Sequence, residues 1–324
     1  MDACPDPVGP RIIRTAVDWS GAGTVLADYL AGRFTYRSRA EWCERIETGE
    51  ITVNDRPAPP ETVLTLHDVI EYRPGELPEP PADLNCRIVF ESPELLVIDK
   101  PGNLCVHPAG PFFRHTLWHL LRSRYGEVHF INRLDRETSG LMLAARNAAA
   151  AKLLSRRGQV QAKVYRAIVH GDFPETLDAD GFLRPAGGII RKKRRFTFEM
   201  PERPPFETAV TKFACLRRGG GFSLVRAELG TGRMHQIRAT LAALGYPVAG
   251  DKLYGPDERF YLKQRGDELT AADREALIFS RQALHSAELE FCDPASGEVR
   301  RFQSPLPAEL ADFVNRMERT CAHG

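Results

Sequence analysis

The chain has 324 residues, 43% hydrophobic and 27% charged, with a net charge of +1, a length and composition that suit one large globular domain and one small one. Its longest apolar runs, 95–98 and 141–145, are too short to span a bilayer and no apolar signal-type segment opens it, so a cytoplasmic protein is expected. Seven scattered cysteines without a close pair exclude a disulfide framework and a cysteine-type zinc site, while the near-neutral total leaves nucleic acid open.

Residues 1–17 read as a tail. In the small unit, 18–73, Val25, Leu26, Tyr29 and Leu30 form a one-sided helical stripe. A second short helix follows, with Ser38 placed to cap its start and Gly49 to end it. Residues 51–58 read as a strand entering a turn at Asn54-Asp55, and 63–73 as further strand. Residues 74–85 hold Pro74, Pro78, Pro80 and Pro81, which predicts a stiff extended linker. In the large unit, 86–324, two strands (86–91 and 95–100) precede an amphipathic helix ending at Gly126. A strand at 141–146 leads to Asn147, which caps a helix closing at Gly158. Strands follow at 163–171, 208–216 and 222–229, then a helix over 233–244, and the chain ends strand, strand, helix. So many strands with few helices between them predict an α+β fold on a largely antiparallel sheet.

Three stretches carry the chemistry. In 130–146, Asn132, Arg133 and Asp135 to Gly140 run straight into an apolar strand, where a rigid scaffold would hold an active-site loop or merely a polar one. In 229–255, Gly230 and Gly232 permit a tight turn before a helix whose apolar stripe is Met234, Ile237, Leu241 and Leu244. Arg238 falls on that stripe. A guanidinium there keeps its charge and is costly to bury unpaired, so a carboxylate is expected opposite it. In 163–171, Tyr165 sits inside a strand and taken alone is a core residue. Beyond these, Arg191, Lys192, Lys193, Arg194 and Arg195 are consecutive, and five adjacent cations repel unless an anion visits, which favours a phosphate-contacting hairpin. His115 and His119 have helical zinc spacing but no acidic neighbour or third ligand, so no metal is expected.

Two resemblances follow. The small unit, with arginines at 33, 37, 39, 45 and 56, resembles the αL-type RNA-binding module, although Asn54-Asp55 replaces its usual Asn-Gly and His67-Asp68 its Gly-Asp. The large unit resembles the RluA family of pseudouridine synthases through NRLDRETSGLML (132–143), KVYRA (163–167) and TGRMHQIR (231–238). Weaker agreement lies at 98–108, 207–213, 250–255 and 281–307, so the likeness spans about 86–307. It implies a mainly antiparallel mixed sheet flanked by helices, and an enzyme that isomerises uridine in structured ribosomal or transfer RNA. It implies Asp135 as the catalytic residue, Arg238 as its partner and Tyr165 as the face that stacks on the target base. No cofactor is implied, and a monomer with RNA as its partner is expected. Arg133 would reach the RNA or form a surface ion pair, and Leu284 would lie near the base or in the core. Asn132, on the RNA-binding side of the motif, stands where the family has a histidine and cannot titrate near neutrality. Thr240 is a second departure. The alternative, an RNA-binding or ribosome-assembly factor with vestigial catalysis, does not need the complete trio. Hydrolysis of a glycosidic bond would need a second carboxylate, and Glu137 is expected to face away.

Overall fold

The computed structural model describes residues 9–34, 37–75, 78–156, 158–188 and 190–321. The chain divides into two compact units, Met1–Pro80 and Pro81–Gly324. That boundary falls inside the expected linker, and the described residues between 74 and 86 form no helix or strand. Among the described residues no helix is long and apolar enough to cross a membrane.

The first unit runs β1 (Ile13–Ala16), α1 (Leu26–Arg33), α2 (Arg39–Glu47), β2 (Ile51–Val53), β3 (Arg56–Pro57) and β4 (Val69–Tyr72). Its antiparallel sheet has the order β1-β4-β2-β3. Ser38 and Glu41 form a reciprocal capping box at the start of α2. Gly49, at φ 78°, turns the chain out of that helix. Asn54 and Asp55 both take positive φ (51° and 61°), the geometry a two-residue hairpin requires. Leu26, Leu30, Trp42, Ile46, Ile51 and Ile70 make the core.

Two expectations need correction in this unit. β1 lies within the segment read as a tail, and it pairs along its length with β4, Ile13 opposite Tyr72. Residues 1–8 of that tail lie outside the described residues. In 63–73 only β4 is strand, because His67 at φ 72° breaks the extended backbone and Asp68 closes the turn on the amide of Thr65 at 2.7 Å.

The second unit runs β5 (Arg87–Glu91), β6 (Leu95–Lys100), α3 (Leu117–Tyr125), β7 (His129–Phe130), β8 (Ser139–Ala145), α4 (Ala148–Leu154), β9 (Val160–His170), β10 (Thr176–Pro185), β11 (Arg194–Thr197), β12 (Glu207–Gly219) and β13 (Phe222–Leu229). It continues with α5 (Gln236–Ala243), α6 (Arg259–Arg265), α7 (Ala271–Leu277), β14 (Leu284–Cys292), β15 (Val299–Gln303) and α8 (Ala308–Cys321). One sheet follows the order β11-β10-β12-β13-β9-β14-β8-β6-β5, with β15 on β14 and β7 on β8. Its paired strands are antiparallel except β14 with β8. The α+β expectation holds, as does the cap of Asn147 on α4 through the amide of Ala150 at 2.8 Å.

β8 is buried over all seven residues. Leu141 and Leu143 pack into one apolar cluster and Met142 and Ala144 into another, so helices cover both faces of the sheet there. Each fully buried leucine stabilises the strand by ~1.5–3 kcal/mol. Gly140 has φ 107° and lies so close to β14 that a Cβ would stand 2.2 Å from the carbonyl oxygen of Ser286. No other residue fits where the polar loop enters β8, and the loop's end is therefore fixed. α4 ends at Leu154 rather than at Gly158, and α5 begins at Gln236 rather than Arg233 because His235 has φ 58°. β7, β10, β11, α6 and α7 are additions to the elements read from sequence.

Candidate active site

The loop from Asn132 to Thr138 is clamped at almost every residue. The carbonyl of Arg136 accepts from the buried ammonium of Lys100 at 3.2 Å and from the amide of Leu104 at 3.0 Å. The carboxylate of Glu137 accepts from Lys252 at 3.0 and 3.1 Å and from the amide of Gln282 at 3.2 Å. Gln282 also donates to the hydroxyl of Thr138 at 2.5 Å. At the strand's start the hydroxyl of Ser139 meets Nδ1 of His285 at 2.9 Å, while Nε2 of that ring faces the carbonyl of Ser304 at 3.3 Å. The polar residues after Asp135 thus hold the loop, and Glu137 is spent on that task.

Asp135 is the residue the clamp leaves available, with its side chain 30% exposed. Its Oδ2 accepts from the Nη1 of Arg238 at 2.5 Å. Arg238 itself is buried, as its place on the helix stripe predicts. Its other edge is taken by a second carboxylate: Nε and Nη2 donate to Asp251 at 2.6 and 2.8 Å. Asp251 is fully buried and also accepts from the amides of Leu253 and Tyr254 at 2.9 and 3.0 Å. A guanidinium gripped on two nitrogens by one carboxylate has its remaining edge aimed in a fixed direction. Asp135 stands in that direction.

Burial pushes the Asp135 carboxyl up, but Arg238 and His235 outweigh it and hold the group down at about 2. Asp251 is likewise held low, by Arg238 against its own burial. Tyr165, in β9, is 6% exposed, and burial pushes its phenol up to about 12, with Ser286 opposing the shift and Asp135 adding to it. The tyrosine is therefore protonated at neutral pH. Its electrostatic neighbours include the ionised Asp135.

The structure pairs Asp135 with Arg238, while Tyr165 lies in the core within electrostatic reach of Asp135. Asp251, His235 and Tyr254 belong to the same site and were not singled out from the sequence. Nε2 of His235 lies 3.7 Å from Oδ1 of Asp135, and its Nδ1 lies 3.0 Å from the hydroxyl of Tyr254. The ring of Tyr254 lies under Arg238, with the guanidinium carbon 5.1 Å from the ring centroid. Burial lowers His235 to about 4.

The remaining expected site residues divide. Arg133 is exposed and has no ion pair among the described residues, so the surface-pair reading finds no partner. Asn132 turns inward, where its carbonyl accepts from the amide of Leu143 at 2.8 Å. A half-buried amide bonded to β8 braces the strand. Leu284 is buried in the main core opposite Ala167, which is its packing alternative. In the hairpin after β10, Arg191, Lys192 and Arg195 are exposed or half-exposed. Lys193 forms an ion pair with Glu258, just before α6, and Lys192 lies 4.4 Å from the ring centroid of Tyr261. The amide of Arg194 donates to the Tyr254 hydroxyl at 2.7 Å. Of the five cations, Lys193 thus has an acidic partner within the chain, Glu258 at the start of a helix not read from the sequence.

These ionisations predict a pH dependence of stability. His235 and His285 are both lowered to about 4 by burial, from an ordinary 6.5. Between those values the unfolded chain binds more protons than the folded one, so stability falls as pH drops from about 6.5 toward 4. Each ring contributes on the order of 2 kcal/mol of that loss by pH 5. Asp135 acts lower still, its contribution present above about 4 and lost as pH falls toward about 2. Thermal midpoints at pH 7 and pH 5 should differ clearly, and His285→Gln should reduce the difference. An unchanged midpoint would contradict the burial of neutral imidazoles.

The sequence profile of the RNA pseudouridylate synthase family matches residues 94–243. Ribosomal large subunit pseudouridine synthase D of Xanthomonas campestris is 31% identical, covering 99% of this chain and 97% of its own. The Vibrio cholerae protein of the same name is 32% identical, with 91% of each chain covered. Among solved structures, human RNA pseudouridylate synthase domain containing 1 superposes with a TM-score of 0.54 at 25% identity, over 75% of this chain and 98% of that one. Agreement at that level runs almost end to end and takes in the loop, the strand and the helix that converge on Asp135, so the chain belongs to the RluA family of RNA pseudouridine synthases.

Proposed function

We propose that this enzyme isomerises uridine in large-subunit ribosomal RNA, with Asp135 as its catalytic residue, Arg238 orienting that carboxylate and Tyr165 facing the target base. The observation that carries the reading is the double grip on Arg238. Asp251 neutralises and fixes the guanidinium, which leaves one edge to hold a partly exposed Asp135 ionised and in one orientation. Breaking a nitrogen–ribose bond and rejoining the base through carbon requires a carboxylate in that state. A uridine drawn out of folded RNA loses its stacking, which an aromatic face partly restores. The choice of ribosomal over transfer RNA rests on the relatives named for the large ribosomal subunit. The first unit is read as an αL-type RNA-binding module on its helix pair, small sheet and arginines. The protein is read as a cytoplasmic monomer.

Mapping pseudouridine in total RNA from cells with and without the gene tests the substrate. A uridine in large-subunit RNA that is modified only when the gene is present supports the proposal; a missing site confined to transfer RNA would overturn it. Arg133, Arg191, Lys192 and Arg195 form the proposed phosphate-binding set, being accessible cations around the site. Replacing Arg191, Lys192 and Arg195 together by alanine should weaken RNA binding without regard to sequence. The salt dependence of log K should become shallower by about 2, near 0.7 for each phosphate that is no longer neutralised. An unchanged salt slope in filter-binding titrations would remove the hairpin from the interface.

A further inference from the structure

The chain of polar contacts behind Asp135 has a direction. The hydroxyl of Tyr254 has one proton to give and two lone pairs to fill. The amide of Arg194, at the base of the basic hairpin, donates to it at 2.7 Å. The hydroxyl's own proton is then free for Nδ1 of His235, 3.0 Å away. An ionised carboxylate opposite Nε2 selects the neutral tautomer with its hydrogen on that nitrogen, which leaves Nδ1 to accept from Tyr254. That nitrogen faces Oδ1 of Asp135 at 3.7 Å, a polar contact longer than a full hydrogen bond, while Arg238 holds Oδ2 at 2.5 Å. The ring's place is set by the backbone: His235 has φ 58°, a left-handed turn just before α5, and packs edge-on to Tyr254 with ring centroids 5.6 Å apart.

We propose that His235 is a positioning residue for Asp135, and that the Tyr254 hydroxyl makes its aim depend on where the basic hairpin sits. The inference rests on Asp135 being the catalytic residue. Its physical content is that one carboxylate oxygen is fixed from α5 by Arg238, while the other is approached by a ring whose far nitrogen is held by a hydroxyl anchored to the hairpin's backbone. RNA that seats Arg191, Lys192 and Arg195 also seats Arg194, whose amide anchors the Tyr254 hydroxyl. Binding at the hairpin is thereby linked to the orientation of a group that acts on the uridine.

The test uses the full-length protein and unmodified large-subunit ribosomal RNA transcribed in vitro. RNA affinity is measured by filter binding and the modification rate under single-turnover conditions at saturating enzyme. Tyr254→Phe keeps the ring under Arg238 and removes only the hydroxyl. Its affinity is expected to stay within about twofold of wild type while its rate falls about tenfold, the scale of a small misalignment of a reacting group. His235→Leu should lose at least as much rate. His235→Gln, which keeps an N–H donor near the reach of Nε2, should recover part of it. A Tyr254→Phe rate within about twofold of wild type would overturn the inference. So would a His235→Gln enzyme no faster than His235→Leu with an equally lowered thermal midpoint, since that marks a packing role only. Should His235→Leu fail to fold, Tyr254→Phe decides alone. Asp135→Asn is run beside them: if it is active, the catalytic reading itself falls. If it is inactive while Tyr254→Phe and His235→Gln both run at the wild-type rate, only the positioning role falls.

Discussion

Replacing Arg238 with methionine is expected to cost both the fold and the reaction. The side chain follows the stem of arginine but stops short of the guanidinium and brings no charge to two carboxylates. Asp251 is fully buried and would keep only the amides of Leu253 and Tyr254 as partners. Removing one member of a buried ion pair typically costs about 3–5 kcal/mol, because the charge left behind has no compensation. For a domain of this size that corresponds to a fall in thermal midpoint of roughly 6–20 °C. Asp135 would at the same time lose the hydrogen bond that directs it, and its carboxyl would rise from about 2. Arg238→Lys makes the contrast sharper. It restores a positive charge but not the two-edged fork, so it should recover more stability than rate. A methionine variant with an unchanged midpoint would show that the cluster does not hold the fold as described.

The logic of this cluster was half legible in the sequence. An arginine on an apolar helix stripe demands an anion, and that demand is met from 103 residues away by Asp135. The same demand is met a second time by Asp251, 13 residues downstream. Nothing in the local pattern around Asp251 distinguishes a buried carboxylate from a turn residue; only the tertiary approach of the turn to α5 does. His235 was hidden for a related reason. The apolar stripe starts at Met234, whereas the left-handed backbone of His235 holds the helix off until Gln236 and points the imidazole at the loop.

Elements with sustained periodicity or clear caps were readable: α2 through Ser38, α4 through Asn147, and β8 through an apolar run buried on both faces. Those missed are short or depend on distant pairing. β1 is a four-residue edge strand whose partner lies more than 50 residues on. α6 and α7 have seven residues each, too few for a helical stripe to stand out. Asn132 shows the limit of motif position as a guide. The family places a histidine there, but the amide here serves the backbone of β8.

The second large effect is expected from Asp135→Asn. The change is isosteric and removes only the charge. Because Asp251 still neutralises Arg238, the fold should survive in a way that Arg238→Met does not permit. RNA affinity should persist as well, since a carboxylate contributes nothing favourable to phosphate binding. The rate should fall by roughly 10³-fold or more, as when a group acting in the transition state is removed. The direct measurement is pseudouridine formed on a defined RNA by folded, RNA-binding Asp135→Asn protein at saturating enzyme. No pseudouridine above background is the predicted result; product at the wild-type rate would contradict the assignment of the chemistry to Asp135.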